Sequence, residues 1–159
     1  MGADYTPSPD TFVGVPDNPA LTKLPNAMNV AHQHYKSRFQ PSHPPVILFV
    51  VQEGETNTVD QRMLEFHLWN NHHIPVVRMS LTKANTQLQL DEENGALYIL
   101  PDTSADGEQG SIPMKYEVSV VYFRAGYAPT DFPDGYDGIE WQSREVMERS
   151  RATKCPQLG

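Results

Sequence analysis

Two short stretches carry side chains that could do chemistry together. In the first, Glu55, Asn57 and Gln61 follow an apolar run, Val46 to Val51 (VILFVV), in a polar segment containing Gly54. In the second, Arg124 and Tyr127 follow the run Val118 to Phe123, within Glu117 to Pro129 (EVSVVYFRAGYAP). A carboxylate suits an ammonium, a guanidinium grips a carboxylate through paired N–H groups, and side-chain amides both donate and accept. Such a set fits a small zwitterion, an amino acid or a peptide. The chemistry requires the two stretches to meet. If both apolar runs are parallel strands of one sheet, their exits share an edge, and open α/β sheets bind ligands there. The same residues also read as ordinary polar loops at strand ends, with Arg124 in a surface salt bridge. Spacing alone leaves both readings open.

The elements that must position these groups follow from pattern. VILFVV is apolar throughout, as expected of a parallel strand covered on both faces. Gln52 to Thr58 is then a polar loop, and Thr58 or Asn57 can cap a helix whose first turn holds Asp60 and Gln61. That helix runs to about Asn71, with Val59, Met63, Phe66, Leu68 and Trp69 assigned to its inner face. Ile74 to Ser80 supplies a second strand and completes a βαβ unit, right-handed by the general rule. The run Val118 to Phe123 is short, β-branched and aromatic, which predicts a buried strand. Gly126 permits a tight turn at its end, and Pro129 stops the strand from resuming.

Around this frame, Leu21, Leu24, Met28, Ala31 and Tyr35 recur at helical steps between Pro19 and Phe39, with the start placed near Pro25. Leu81 to Glu93 does not decide between a short helix and coil. Ala96 to Leu100 reads as a strand, joined to EVSVVYF through the long loop Pro101 to Pro113 as a hairpin with an extended tip. Ile139 to Arg151 forms a last helix, with Glu140 near its start and Arg149, Arg151 and Lys154 at its cationic end. The whole is an α/β layered domain over residues 19–159, preceded by an extended arm at 1–18.

Composition excludes several classes of function. A net charge of -8 over 159 residues argues against a surface that tracks phosphates, so nucleic acid is not an expected partner. No apolar run reaches bilayer-spanning length and the first residues lack a basic-then-apolar signal, so no membrane association is expected. One cysteine, Cys155, gives no disulfide framework and fits a reducing compartment such as the cytoplasm. His67 and His72 are five residues apart, which does not set two imidazoles on one helical face, and no metal ligand is nominated. Neither a phosphate-cradling glycine loop nor a Ser-His-Asp or Cys-His pairing is evident, so no catalytic residue is nominated either.

The motifs themselves resemble a family. VVQEGETNTVDQRMLE (Val50 to Glu65), EVSVVYFRAGYAPTDFP (Glu117 to Pro133) and WQSREVMERSRATKCP (Trp141 to Pro156) look like eukaryotic glutathione synthetase, in that order and over Leu24 to Pro156. The resemblance implies a three-layer α/β/α substrate-binding domain with a mainly parallel sheet and a long-tipped hairpin. In the family such a domain contacts γ-glutamylcysteine within an enzyme that joins it to glycine, using ATP and magnesium. Carried over, Glu55, Thr56, Asn57 and Gln61 would contact the dipeptide from the first loop, and Arg124, Ala125, Gly126 and Tyr127 from the second. Thr56 stands where the family often has a basic residue, and residues 101–113 exceed the family's usual short hairpin. The resemblance further implies a homodimer, glutathione as a second ligand, and the remainder of the synthetase chain as partner. It places the ATP and magnesium groups outside this sequence, so the chain alone is expected to be inactive and to bind neither. The alternative is a stand-alone, non-enzymatic module that binds a thiol peptide or a protein.

Overall fold

The computed structural model describes residues 19–56, 58–102, 112 and 114–155. The arm at 1–18, Asn57 and most of the hairpin tip lie outside the described residues. Four α-helices and six strands are described: α1 (Ala20–Phe39), β1 (Pro45–Val50), α2 (Val59–His72), β2 (Val76–Met79), α3 (Leu81–Gln87), β3 (Leu88–Leu90), β4 (Leu97–Ile99), β5 (Tyr116–Phe123), α4 (Ile139–Arg149) and β6 (Thr153–Cys155). The strands make one mixed sheet in the order β2-β1-β5-β4-β3. β1 runs parallel to both β2 and β5, while β3, β4 and β5 pair antiparallel.

β6 completes the sheet in an unusual place. The first residues of β5, Tyr116 and Glu117, pair with β4, whereas Val120 to Tyr122 pair with β6 in parallel. Since β1 takes the whole of the opposite edge of β5, the far edge is shared, half to β4 and half to β6.

The uniform apolarity of β1 has its expected cause: Val46 to Val50 are all fully buried, because helices cover both faces of the sheet. On one side Met28 of α1 and Leu64 and Leu68 of α2 pack on Ile47, Phe49, Val120 and Tyr122. On the other, Leu81 and Ala84 of α3 and Met147 of α4 pack on Leu48, Val50, Val121 and Phe123. This is the three-layer arrangement. A bulge adjusts it: Val46 pairs with Val118 but Ile47 pairs with Val120, so Ser119 is the extra residue on β5. Its hydroxyl donates to the Val46 carbonyl at 2.8 Å.

Several expectations need correction. α1 begins at Ala20, not near Pro25, and buried Pro25 sits inside the helix, forfeiting one backbone bond. α2 turns the other way from its predicted inner face. Val59, Met63, Phe66 and Trp69 are 46–70% exposed; of the residues assigned inward only Leu68 is buried, and it is joined by Gln61 and Leu64. Apolar residues occupy both faces of this helix, and the face that packs carries the fully buried Gln61, whose amide bonds half-buried Glu55 and Arg78. Leu81 to Glu93 resolves into α3 and β3, and Ser80 caps α3 by accepting from the Lys83 amide. The last helix stops at Arg149; Lys154 lies in β6, but its ammonium still donates to the carbonyl of Ser150, the C-cap of α4, so it serves the helix end as expected.

Candidate functional site

Because β1 and β5 are parallel neighbours, their carboxyl ends meet. The Val50 carbonyl accepts from the amides of both Arg124 (2.8 Å) and Ala125 (3.1 Å), so the second loop is stitched to the end of the first strand. The chain then reverses at Gly126, whose φ of +89° lies in the region that favours glycine. The amides of Gly126, Tyr127 and Ala128 all donate to Asp131 Oδ2, at 2.9, 3.2 and 3.1 Å. Tyr127 closes the loop by donating its hydroxyl to the Arg124 carbonyl at 2.8 Å, and its ring is 64% exposed.

Arg144 of α4 supports the loop from below. It is buried, its guanidinium lies 3.5 Å from the centroid of the Phe123 ring, and Nη1 donates to the Gly126 carbonyl at 3.3 Å. Glu148 pairs with it one turn later at 2.7 Å.

The first loop is organised differently. Gln61 is fully buried; its amide nitrogen donates to Glu55 at 3.3 Å and its oxygen accepts from Arg78 of β2 at 2.9 Å. Glu65 holds Arg78 from the other side at 3.3 Å. Thr56 is exposed on the loop between them. The two loops are linked through Asp60, which meets Arg124 Nη2 at 2.5 Å, both side chains being partly exposed.

The predicted residues therefore share one sheet edge but divide into two groups. Glu55 and Gln61 form one, with Arg78. Arg124, Ala125, Gly126 and Tyr127 form the other, joined to α2 by Asp60. Arg124 lines a hollow of about 330 Å³ between α1 and α2, together with Leu21, Leu24, Met63 and Tyr122. Burial pushes the Tyr122 hydroxyl pKa upward, with Arg124 opposing it, so this wall stays a neutral phenol. Sequence reading missed Arg78, Asp131 and Arg144. Asp131 alone left a signal, a short acidic residue just after a Gly-containing turn.

Comparison with known proteins decides the family. The sequence profile of eukaryotic glutathione synthase matches residues 45–159. The chain belongs to the eukaryotic glutathione synthase family. It is 38% identical to a glutathione synthetase of Dictyostelium discoideum over 91% of this chain and 26% of that protein. A glutathione synthetase large chain of Schizosaccharomyces pombe is 33% identical over 87% of this chain and 24% of its own length. The chain thus spans about a quarter of the length of these relatives. Its fold is also similar to that of a glutathione synthetase like-effector from Globodera pallida in the apo form, with TM-score 0.59 and 16% identity over 92% of this chain and 29% of the other.

Proposed function

We propose that this glutathione synthetase-family domain binds γ-glutamylcysteine, and glutathione as its extended form, for ligation of the dipeptide to glycine by a larger enzyme. The observation that carries the reading is the convergence of Arg124 and Tyr127 with the Glu55–Gln61 loop on one edge, in a chain of this family. Arg124 would take a ligand carboxylate, since a guanidinium has five N–H donors and the Asp60 contact engages Nη2. Glu55, fixed by Gln61, would face the ligand ammonium.

The residues present do not fit the nucleotide or the metal that the family's ligation uses. Among the described residues, no group of three or more His, Cys, Asp or Glu is placed to hold a metal ion, and the sequence has no glycine-rich phosphate cradle. ATP and magnesium would be held by other parts of the synthetase, so the 159-residue chain by itself is expected to form no glutathione from its substrates. A cytoplasmic homodimer is part of the same proposal. Among the described residues, no helix is long and apolar enough to cross a membrane.

Calorimetric titration of γ-glutamylcysteine and of glutathione into the purified chain tests this. Binding should weaken at least tenfold in Arg124→Ala. Equal binding by chain and variant would sink the role given to Arg124.

A further inference from the structure

The structure leaves open volume on the other side of the same edge. A cleft of about 320 Å³ lies between the loops that follow β1, β2 and β5 and the start of α4, on the α3/α4 face of the sheet. Glu53, Asp131 and Glu140 line it, and among the described residues no Lys, Arg or His does. We propose that this cleft is a binding site for the primary ammonium group of a small organic molecule, with Glu140 as its main acceptor. The proposal goes beyond the dipeptide reading and does not depend on it.

The three carboxylates are not equivalent. Asp131 already receives three backbone N–H groups, so its charge is answered within its own loop. Glu53 is exposed at the rim, where water screens it. Glu140 is 8% exposed, its Oε1 accepts from the Thr82 hydroxyl at 2.9 Å, and its Oε2 has no hydrogen-bond partner. A buried carboxylate oxygen left without a donor is costly, and such an exception calls for an explanation. Gly138 packs closely against that oxygen, since a Cβ there would lie 3.3 Å from Oε2.

The missing partner is a cation that donates hydrogen bonds. A divalent metal would need several ligands around one point, and among the described residues no three His, Cys, Asp or Glu are so placed. An ammonium needs less. It brings three N–H donors, one for the vacant carboxylate oxygen and others for neutral acceptors such as Gln52 and Thr82, which also line the cleft. With low-dielectric walls and one sign of charge, the cleft concentrates such cations before they dock.

Two-dimensional amide NMR of the full chain tests the proposal, with propylammonium as the probe and propanol and magnesium chloride as comparisons. Propylammonium should produce saturable shifts at Thr82, Ala125 and Asp131, and propanol should not. Glu140→Gln should weaken propylammonium at least tenfold. The proposal is overturned if the alcohol shifts the same amides equally, if Glu140→Gln binds like the parent chain, or if magnesium displaces propylammonium. Should Glu140→Gln fail to fold, Glu53→Gln at the exposed rim replaces it. That change should weaken propylammonium about threefold at low salt, and an unchanged affinity overturns the proposal equally. The dipeptide titration reads Arg124 and the propylammonium titration reads Glu140, so the two readings fail separately.

Discussion

At Gly126 the geometry of the loop after β5 rests on the absence of a side chain. A Cβ there would meet Leu81 Cδ1 at 3.3 Å and Arg144 Nη1 at 3.4 Å, on a backbone with φ of +89°. Non-glycine residues in such conformations cost on the order of 1–3 kcal/mol. Gly126→Ala is therefore expected to lower unfolding stability by that amount in urea titrations, and to weaken dipeptide binding by displacing Tyr127. The position of Arg124, Gly126 and Tyr127 in a turn at the end of β5 was legible in the sequence because strand, turn and charge fall in one short run. Asp131 and Arg144, which hold the same loop, were not. Their contacts depend on a local turn closing on itself and on α4 arriving from 18 residues away, and neither is written in spacing.

Between elements, the main polar fastening is Glu117 on β5. Fully buried, it accepts from the Tyr35 hydroxyl of α1 at 2.7 Å, from Arg151 at 2.7 Å, and from the Ser42 amide at 3.2 Å. Arg151 also donates Nε to the Tyr35 oxygen at 2.9 Å. Burial first, and the bond to Glu117 second, drive the Tyr35 hydroxyl pKa upward, which keeps it a donor. Removing one partner of a buried pair strands the other, at a cost of about 3 kcal/mol or more. Arg151→Ala should show that loss in denaturant midpoints, and adding Glu117→Gln should restore part of it. At this scale β1, β5 and the βαβ crossover were readable, since continuous apolar runs have few alternatives. The packing face of α2 was not, because its exposed residues are as apolar as its buried ones and Gln61 looks like a surface residue. β6 was hidden for a related reason: Thr-Lys-Cys has no pattern of its own and becomes a strand only by pairing with Val120 to Tyr122.

For the molecule as a whole, acid stability has an identifiable contributor. His32 of α1 is buried, with Nδ1 2.7 Å from the Ser119 hydroxyl that marks the bulge. Ser119 gives its own proton to Val46, so the imidazole nitrogen is the donor in that contact. Burial, aided by Lys36, lowers the His32 pKa from 6.5 to about 4. The unfolded chain takes up a proton near 6.5 and the folded chain does not until about 4, so stability is complete above that window and falls as pH drops through it. The loss amounts to about 3 kcal/mol. Urea midpoints between pH 7 and 4.5 should slope less steeply for His32→Asn than for the parent chain.

The divided far edge of β5 carries a consequence for how the protein is made. Synthesis runs from the amino end, so β1 to β5 emerge from the ribosome before Thr153–Cys155 exists to pair. Until then Val120 to Tyr122, in the middle of the sheet and among its most apolar residues, offer unpaired backbone groups to any neighbouring nascent chain. The latest of the described strands to be made is therefore the one that seals the centre, and a ribosome that stalls just before it would leave the sheet with its stickiest segment open.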